Sequence, residues 1–152
     1  MKIEIKKLGI DRFELIFDTV QLLLDELRGK PSDNAESHKD KIIADWRKLP
    51  GRHTVYAAYD GEQIAGIITL TEHFAIYADG TFGNINELYV FPKYRSRGVG
   101  KMLLEKAVEL GKEKGWHRIE VTAPHGEQWS RTVAFYLREG FSQAGPKLRL
   151  FA

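Results

Sequence analysis

The sequence predicts a mixed α/β (α+β) domain, and three observations predict it. Two turn signals, Asp60-Gly61 and Asp79-Gly80, punctuate an apolar, β-branched stretch between His53 and Phe91, the pattern of an antiparallel meander. Helical spacing of apolar residues occupies positions 13, 16, 17, 20, 23, 24 and 27 and returns after residue 98. The meander then runs into a β-α-β-α-β end, all within 152 residues, the size of one domain spanning residues 1–152.

Taken in order, residues 2–8 read as a strand. A helix follows from Asp11, whose side chain is placed to cap it. Residues 29–37 are rich in breakers, and a second helix over 34–49 stops at Pro50-Gly51. Strands then cover "HTVYAAY", "EQIAGIITLTEHFAIY" and "NINELYVF". A third helix runs from about 98 to 114 and ends at Gly115, a C′ glycine. "HRIEVTAP" is a strand, residues 128–139 a short helix ending at Gly140, and the tail 141–151 supplies one or two strands more. The expected sheet is mostly antiparallel with six to seven strands, flanked by about four helices.

Composition narrows the function. There is no cysteine, which removes a disulfide scaffold, a thiolate zinc site and a cysteine nucleophile. The five histidines show no metal-ligand spacing, so no metal is expected. The start "MKIEIKKLGI" lacks a signal peptide's apolar stretch, and no run approaches the roughly 20 apolar residues of a membrane span, so a soluble, cytoplasmic protein without membrane partners is expected. Residues 1–90 carry 11 Lys/Arg against 15 Asp/Glu, whereas 91–152 carry 12 against 6. An acidic first part and a basic last part suit two different ligands.

The densest basic cluster lies in "FPKYRSRGVGK", between a strand and a helix. A helix start presents unpaired amides and the positive end of the dipole, which together hold phosphate. Gly98 and Gly100 let a bulky anion approach the backbone. Lys93, Arg95, Arg97 and Lys101 add charge. A Walker A loop is excluded, because position 95 is Arg and position 102 is Met. The dinucleotide fingerprint is excluded because Leu103 stands where its third glycine belongs.

The spacing does match R-x-x-G-x-G at Arg95, Gly98 and Gly100. A second stretch, "RTVAFYLREGF", supplies an FY pair, Phe135 and Tyr136, followed by Gly140 and Phe141. In order, spacing and secondary structure across residues 53–141, the sequence resembles the GNAT (Gcn5-related) N-acetyltransferases. The resemblance implies a sheet splayed between its fourth and fifth strands. It implies that Ser96 and Val99, with Arg95, Arg97, Gly98, Gly100 and Lys101, hold the pyrophosphate of acetyl-CoA, the cosubstrate. It also implies that Leu88, Tyr89 and Val90 pair with the pantetheine arm. The acceptor amine then attacks the thioester directly.

An alkyl amine is only about 0.04% neutral at pH 7, so a base or a water relay helps. Glu87 is the candidate, its side chain opposite that of Leu88 by strand alternation; the other reading of Glu87 is a structural hydrogen bond or a substrate contact. A backbone amide near 88–90 is the expected oxyanion donor. Tyr136 matches the residue that protonates the leaving thiolate. The family often has Asn where this chain has Trp129, which cannot offer an amide's paired donor and acceptor. Trp129 stacks on the cofactor or packs, Arg131 reaches phosphate in the Asn's place, and Phe135 packs beside the cofactor.

The acceptor is expected against the first helices and the strands around 72–87. Asp25, Glu26, Asp33, Glu36, Glu72, Asp79 and Glu87 make that region acidic, which suits a small cationic amine. Trp46, His53, His73 and Tyr77 are candidates to shape the pocket. Two other readings stand beside this one: acetylation of a protein N-terminus or lysine, and a non-catalytic acyl-CoA-binding module. Nucleic acid is not an expected partner, since the basic cluster is short. The last strand, "KLRLFA", offers an edge for a homodimer.

Overall fold

In the computed structural model, which describes residues 1–152 except Asp33, His125, Pro146 and Ala152, five strands form one sheet in the order β1-β2-β3-β4-β5. They are β1 (Ile3–Leu8), β2 (His53–Asp60), β3 (Gln63–Ala75), β4 (Gly80–Val90) and β5 (Ile119–Val121). The helices are α1 (Phe13–Arg28), α2 (Lys39–Trp46), α3 (Val99–Lys114) and α4 (Ser130–Arg138). The first four strands are antiparallel neighbours. The chain divides into two compact units, Met1–Glu120 and Val121–Ala152.

The meander forms where the sequence places it. Asp60 pairs with Gln63 across Gly61-Glu62, and Gly61 takes φ +62°, the left-handed conformation such a two-residue turn requires. Strand alternation then gives the sheet two apolar faces. On one, Val55, Ala57, Tyr59, Ile67 and Tyr89 bury against Ile16 of α1, with Val20, Leu23 and Trp46 at the margin. On the other, α3 lies so close that a Cβ on Gly66 would stand 2.8 Å from the Tyr89 carbonyl oxygen and 3.3 Å from Val99 and Leu103.

Four details differ from the sequence reading. Residues 141–151 hold no strand among those described, so the sheet has five strands rather than six or seven. Gly140 and Gly145 turn the backbone at φ +103° and +106°, and the alternation in "KLRLF" is too short to sustain a ladder alone. The chain enters α1 through a 3-10 turn, Ile10–Arg12, with no side-chain cap, so Asp11 does not cap it. The second helix is a 3-10 turn, Ala35–His38, followed by the short α2. β5 keeps three residues of the expected eight, since Pro124 has no amide for a longer ladder.

The short β5 creates the splay. The amide of Gly83 donates to the Arg118 carbonyl at 3.1 Å, and Trp116 lies flat on Gly83, where a Cβ would be 2.2 Å from the indole. Three residues beyond Arg118 reach no further than the first half of the eleven-residue β4. On that edge Leu88–Val90 has no strand partner among the described residues.

Candidate active site

The turn after β4 is anchored from beneath. Pro92–Tyr94 forms a 3-10 turn, and Tyr94, 1% exposed, donates from its hydroxyl to Asp60 at 2.9 Å, with Gln63 Oε1 3.1 Å from the same oxygen. That bond to Tyr94 holds the Asp60 carboxyl below its usual range. Fixed to the β2–β3 hairpin, the chain bends through Ser96 at φ +62° and Gly98 at φ +83° into α3. The first intrahelical bond runs from the Met102 amide to the Gly98 carbonyl. The six amides from Ser96 to Lys101 have no acceptor among the described residues. Such a row of donors at a dipole's positive end fits a pyrophosphate.

Arg97 and Lys101 are exposed beside these amides. Arg95 is engaged elsewhere. Its Nε donates to the Val90 carbonyl at 2.9 Å, its two terminal nitrogens grip Glu26 of α1 at 3.0 and 2.8 Å, and the guanidinium stands 5.4 Å from the Tyr89 ring centre. The structure therefore joins Arg95 to Tyr89 and Val90, two residues of the expected pantetheine strand, and ties the turn to α1.

A bulge shapes the middle of β4. Thr69 pairs with Glu87 and Leu70 with Ile85, leaving Asn86 as the extra residue. Its effect is to put Asn86 and Glu87 on the same face, that of α1 and α2. The Glu87 amide donates to Thr69 Oγ1 at 3.1 Å, and the Thr69 hydroxyl bonds the Glu87 carboxylate. Burial pushes the Glu87 carboxyl above its ordinary range, against the opposing effect of the Thr69 bond. Leu88 and Val90 point to the α3 face, opposite Ile68 and Gly66.

Beside Glu87 runs a second polar row. Asn84 Nδ2 donates to Asn86 Oδ1 at 2.9 Å, Asn86 Nδ2 donates to Thr71 Oγ1 at 2.7 Å, and Thr71 Oγ1 lies 3.1 Å from His53 Nδ1. His53 meets the Trp46 ring at 4.7 Å, nearly perpendicular, and burial lowers its pKa.

The expected acidic wall is largely occupied. Asp25 pairs with Arg28, Glu26 with Arg95 and Glu36 with Lys39. Glu72 accepts from the Trp116 indole at 2.7 Å on the α3 face, away from Glu87. Asp79 sits in the β3–β4 turn at φ +60°, and Asp33 lies outside the described residues. His73 and Tyr77 pack on Phe82 near that turn, His73 four residues along β3 from the Thr69–Glu87 pairing.

In the second unit, Trp129 closes a 3-10 turn that leads into α4, and Arg131 is exposed in the helix's first turn. Tyr136 is buried between Phe135 and Phe141, each ring centre at 5.3 Å. Burial pushes its phenol up to about 12. Gly140, at φ +103°, turns the chain so that the Phe141 amide bonds the Tyr136 carbonyl.

Sequence reasoning missed Tyr94, Thr69, Asn86 and the partner of Arg95. Only the bulge left a trace: apolar Phe82, Ile85 and Tyr89 break strict alternation in "FGNINELY".

A free-amide turn opening a helix beside an unpaired strand edge is the frame of an acyltransferase. This chain belongs to the GNAT acetyltransferase family, whose model matches residues 18–141. An aminoalkylphosphonate N-acetyltransferase of Salmonella typhimurium is 30% identical over 127 residues, which is 84% of this chain and 79% of that protein. An uncharacterised N-acetyltransferase of Archaeoglobus fulgidus is 31% identical over 64% of this chain and 67% of its own length. Among solved structures, an aminoglycoside acetyltransferase from an uncultured soil metagenomic sample superposes with a TM-score of 0.79 at 20% identity, covering 100% and 99% of the two chains. A predicted acetyltransferase from Clostridium acetobutylicum, crystallised with acetyl-CoA, gives 0.77 at 17% identity over 99% and 96%. At these identities the structural likeness shows the fold.

Proposed function

We propose that residues 1–152 act as one acetyl-CoA-dependent N-acetyltransferase domain on a small primary amine. The family match, running through both compact units, supports the single domain. The row of free amides from Ser96 to Lys101 carries the cosubstrate assignment. Ser96, Arg97, Gly98, Val99, Gly100 and Lys101 hold the pyrophosphate, Arg97 and Lys101 supplying charge. Arg95 holds the turn rather than the phosphate. Leu88, Tyr89 and Val90 offer their open edge to the pantetheine arm, and Trp129, Arg131 and Phe135 are the further cofactor residues that the family resemblance implies.

Glu87 takes the proton from the arriving ammonium, directly or through water. A carboxyl raised by burial sits nearer the operating pH, where a base works best. The freed amine attacks the thioester carbonyl, and an amide of the open β4 edge stabilises the oxyanion. The intermediate collapses by breaking its C–S bond; the leaving thiolate takes the Tyr136 proton, and the nitrogen's second proton returns to the tyrosinate, directly or through water, so that an amide and a free thiol remain. With most of the acidic wall paired internally, attraction for the ammonium rests mainly on Glu87.

Thiol release in the presence of acetyl-CoA and an amine panel tests this function. Glu87→Gln and Tyr136→Phe are expected to bind acetyl-CoA normally and to turn over slowly. Unchanged turnover in both variants would move the chemistry to other residues, and acetyl-CoA binding by wild type without thiol release on any amine would reduce the protein to an acyl-CoA-binding module.

A further inference from the structure

We infer that His53 is an acceptor-binding residue, whose Nε2–H reads an oxygen atom carried by the amine substrate a few bonds from its nitrogen. The inference rests on the acetyltransferase reading and deepens it by naming the acceptor's second group.

Register places the residue. His53 pairs with Thr71, and Thr69, two residues away on the same face of β3, pairs with Glu87. His53 and Glu87 therefore share a face, on strands separated by one other. Two strand spacings put their backbones roughly 10 Å apart across the sheet. The two-residue offset between Thr71 and Thr69 adds to that gap, which leaves room on the shared face for a small molecule with a polar group at each end. A substrate whose nitrogen meets Glu87 thus brings its other end to His53.

We assign the tautomer from the hydrogen-bond row. Asn86 Nδ2 donates to the Thr71 hydroxyl oxygen, and the hydroxyl's own proton is assigned to His53 Nδ1, 3.1 Å away. The ring's own proton then stands on Nε2. That atom has no hydrogen-bond partner among the described residues, yet it is not sealed from solvent; the one sealed, unpartnered side-chain polar atom among them is the Tyr59 hydroxyl. Trp46, edge-on at 4.7 Å and itself 6.5 Å from Phe13, holds the ring in place. The lowered pKa of His53 keeps the imidazole neutral, and a neutral Nε2–H is a donor with a single direction. The carboxylates that would receive a second ammonium are absent from this row: Glu72 faces α3, and Asp25, Glu26 and Glu36 are paired. A donor without competing carboxylates selects a carboxylate, phosphonate or hydroxyl oxygen over a second amine.

The test compares 4-aminobutyrate, 3-aminopropylphosphonate and 4-aminobutanol with n-butylamine and 1,4-diaminobutane, by thiol release, in wild type, His53→Phe and His53→Gln. Wild type is expected to prefer at least one oxygen-bearing amine over butylamine by roughly tenfold in kcat/KM. His53→Phe is expected to erase that preference by raising KM for the oxygen-bearing amine about tenfold more than it raises KM for butylamine, with the smaller effect falling on kcat. His53→Gln, whose amide N–H reaches a similar place, is expected to restore part of it. Equal loss on all amines would make His53 structural and overturn the inference. So would a preference for the diamine or butylamine, or an acetyl-CoA-binding protein that turns over none of the five. Failure of wild type to bind acetyl-CoA, read separately by calorimetry, would bring down the acetyltransferase reading itself and the inference with it.

Discussion

The turn at 92–101 and the bulge at 84–87 are the two halves of the proposed site, but they are built from different materials. The turn works through backbone: six free amides, one left-handed glycine, and a buried tyrosine holding the whole from below. The bulge works through side chains, with Thr69, Thr71, Asn84 and Asn86 steering Glu87 and His53. Backbone sites require a spacing of residues that permit a conformation. Side-chain sites require a pairing between distant strands. The first tolerates change in its neighbours and resists change at its glycines; the second behaves in the opposite way.

Substitutions break that comparison in order of expected size. Glu87→Gln should lower kcat by about 10²–10⁴-fold, the usual worth of a positioned base, in a thiol-release assay. Gly98→Trp should weaken acetyl-CoA binding by about a hundredfold or more in calorimetry. At φ +83° a side chain is strained, and an indole there would occupy the anion's place. Gly83→Ala should cost about 1–3 kcal/mol in urea unfolding, because its Cβ meets the Trp116 ring that fastens β5 to β4. Glu26→Gln, which releases the exposed grip on Arg95, should cost less than about 1 kcal/mol.

The pH dependence of Glu87 sharpens the same contrast. Its folded carboxyl lies above the ordinary range. The stability this group contributes is therefore full below the unfolded carboxylate value and lost as pH rises through the raised folded value. Glu87→Gln should accordingly unfold at higher temperature than wild type at pH 8, with the gap closing below pH 4. The acid limb of kcat/KM in wild type should likewise fall above the usual carboxylate range. A Tm difference independent of pH would show that Glu87 is not held in a desolvated place.

Legibility in the sequence follows the same division. The turn could be read because Arg95, Gly98 and Gly100 are close in the chain and their spacing reflects local conformation. The meander was readable from Asp60-Gly61 and strand alternation, and α3 from its period and Gly115. What escaped depends on distance. The partnership of Arg95 with Glu26 spans 69 residues, and the turn of Glu72 toward Trp116 spans 44. Neither leaves a local mark, so Arg95 read as a phosphate ligand and Glu72 as part of an acidic wall. The extra residue Asn86 exists only relative to β3, so the broken alternation of Phe82, Ile85 and Tyr89 marks a bulge without showing that it puts Asn86 beside Glu87. The tail "KLRLF" misled because alternation records which face a residue would take, without showing that a neighbouring strand is there to receive it.

The central claim is that the amides of Ser96–Lys101 hold the pyrophosphate of acetyl-CoA. It is tested most directly by calorimetric titration of wild type, Gly98→Trp and Arg95→Ala with acetyl-CoA, with ADP and NAD as controls. The account predicts saturable acetyl-CoA binding by wild type, abolished in Gly98→Trp, reduced only a few-fold in Arg95→Ala, and not matched by either control. Absence of acetyl-CoA binding in wild type, or equal binding by Gly98→Trp, would contradict it.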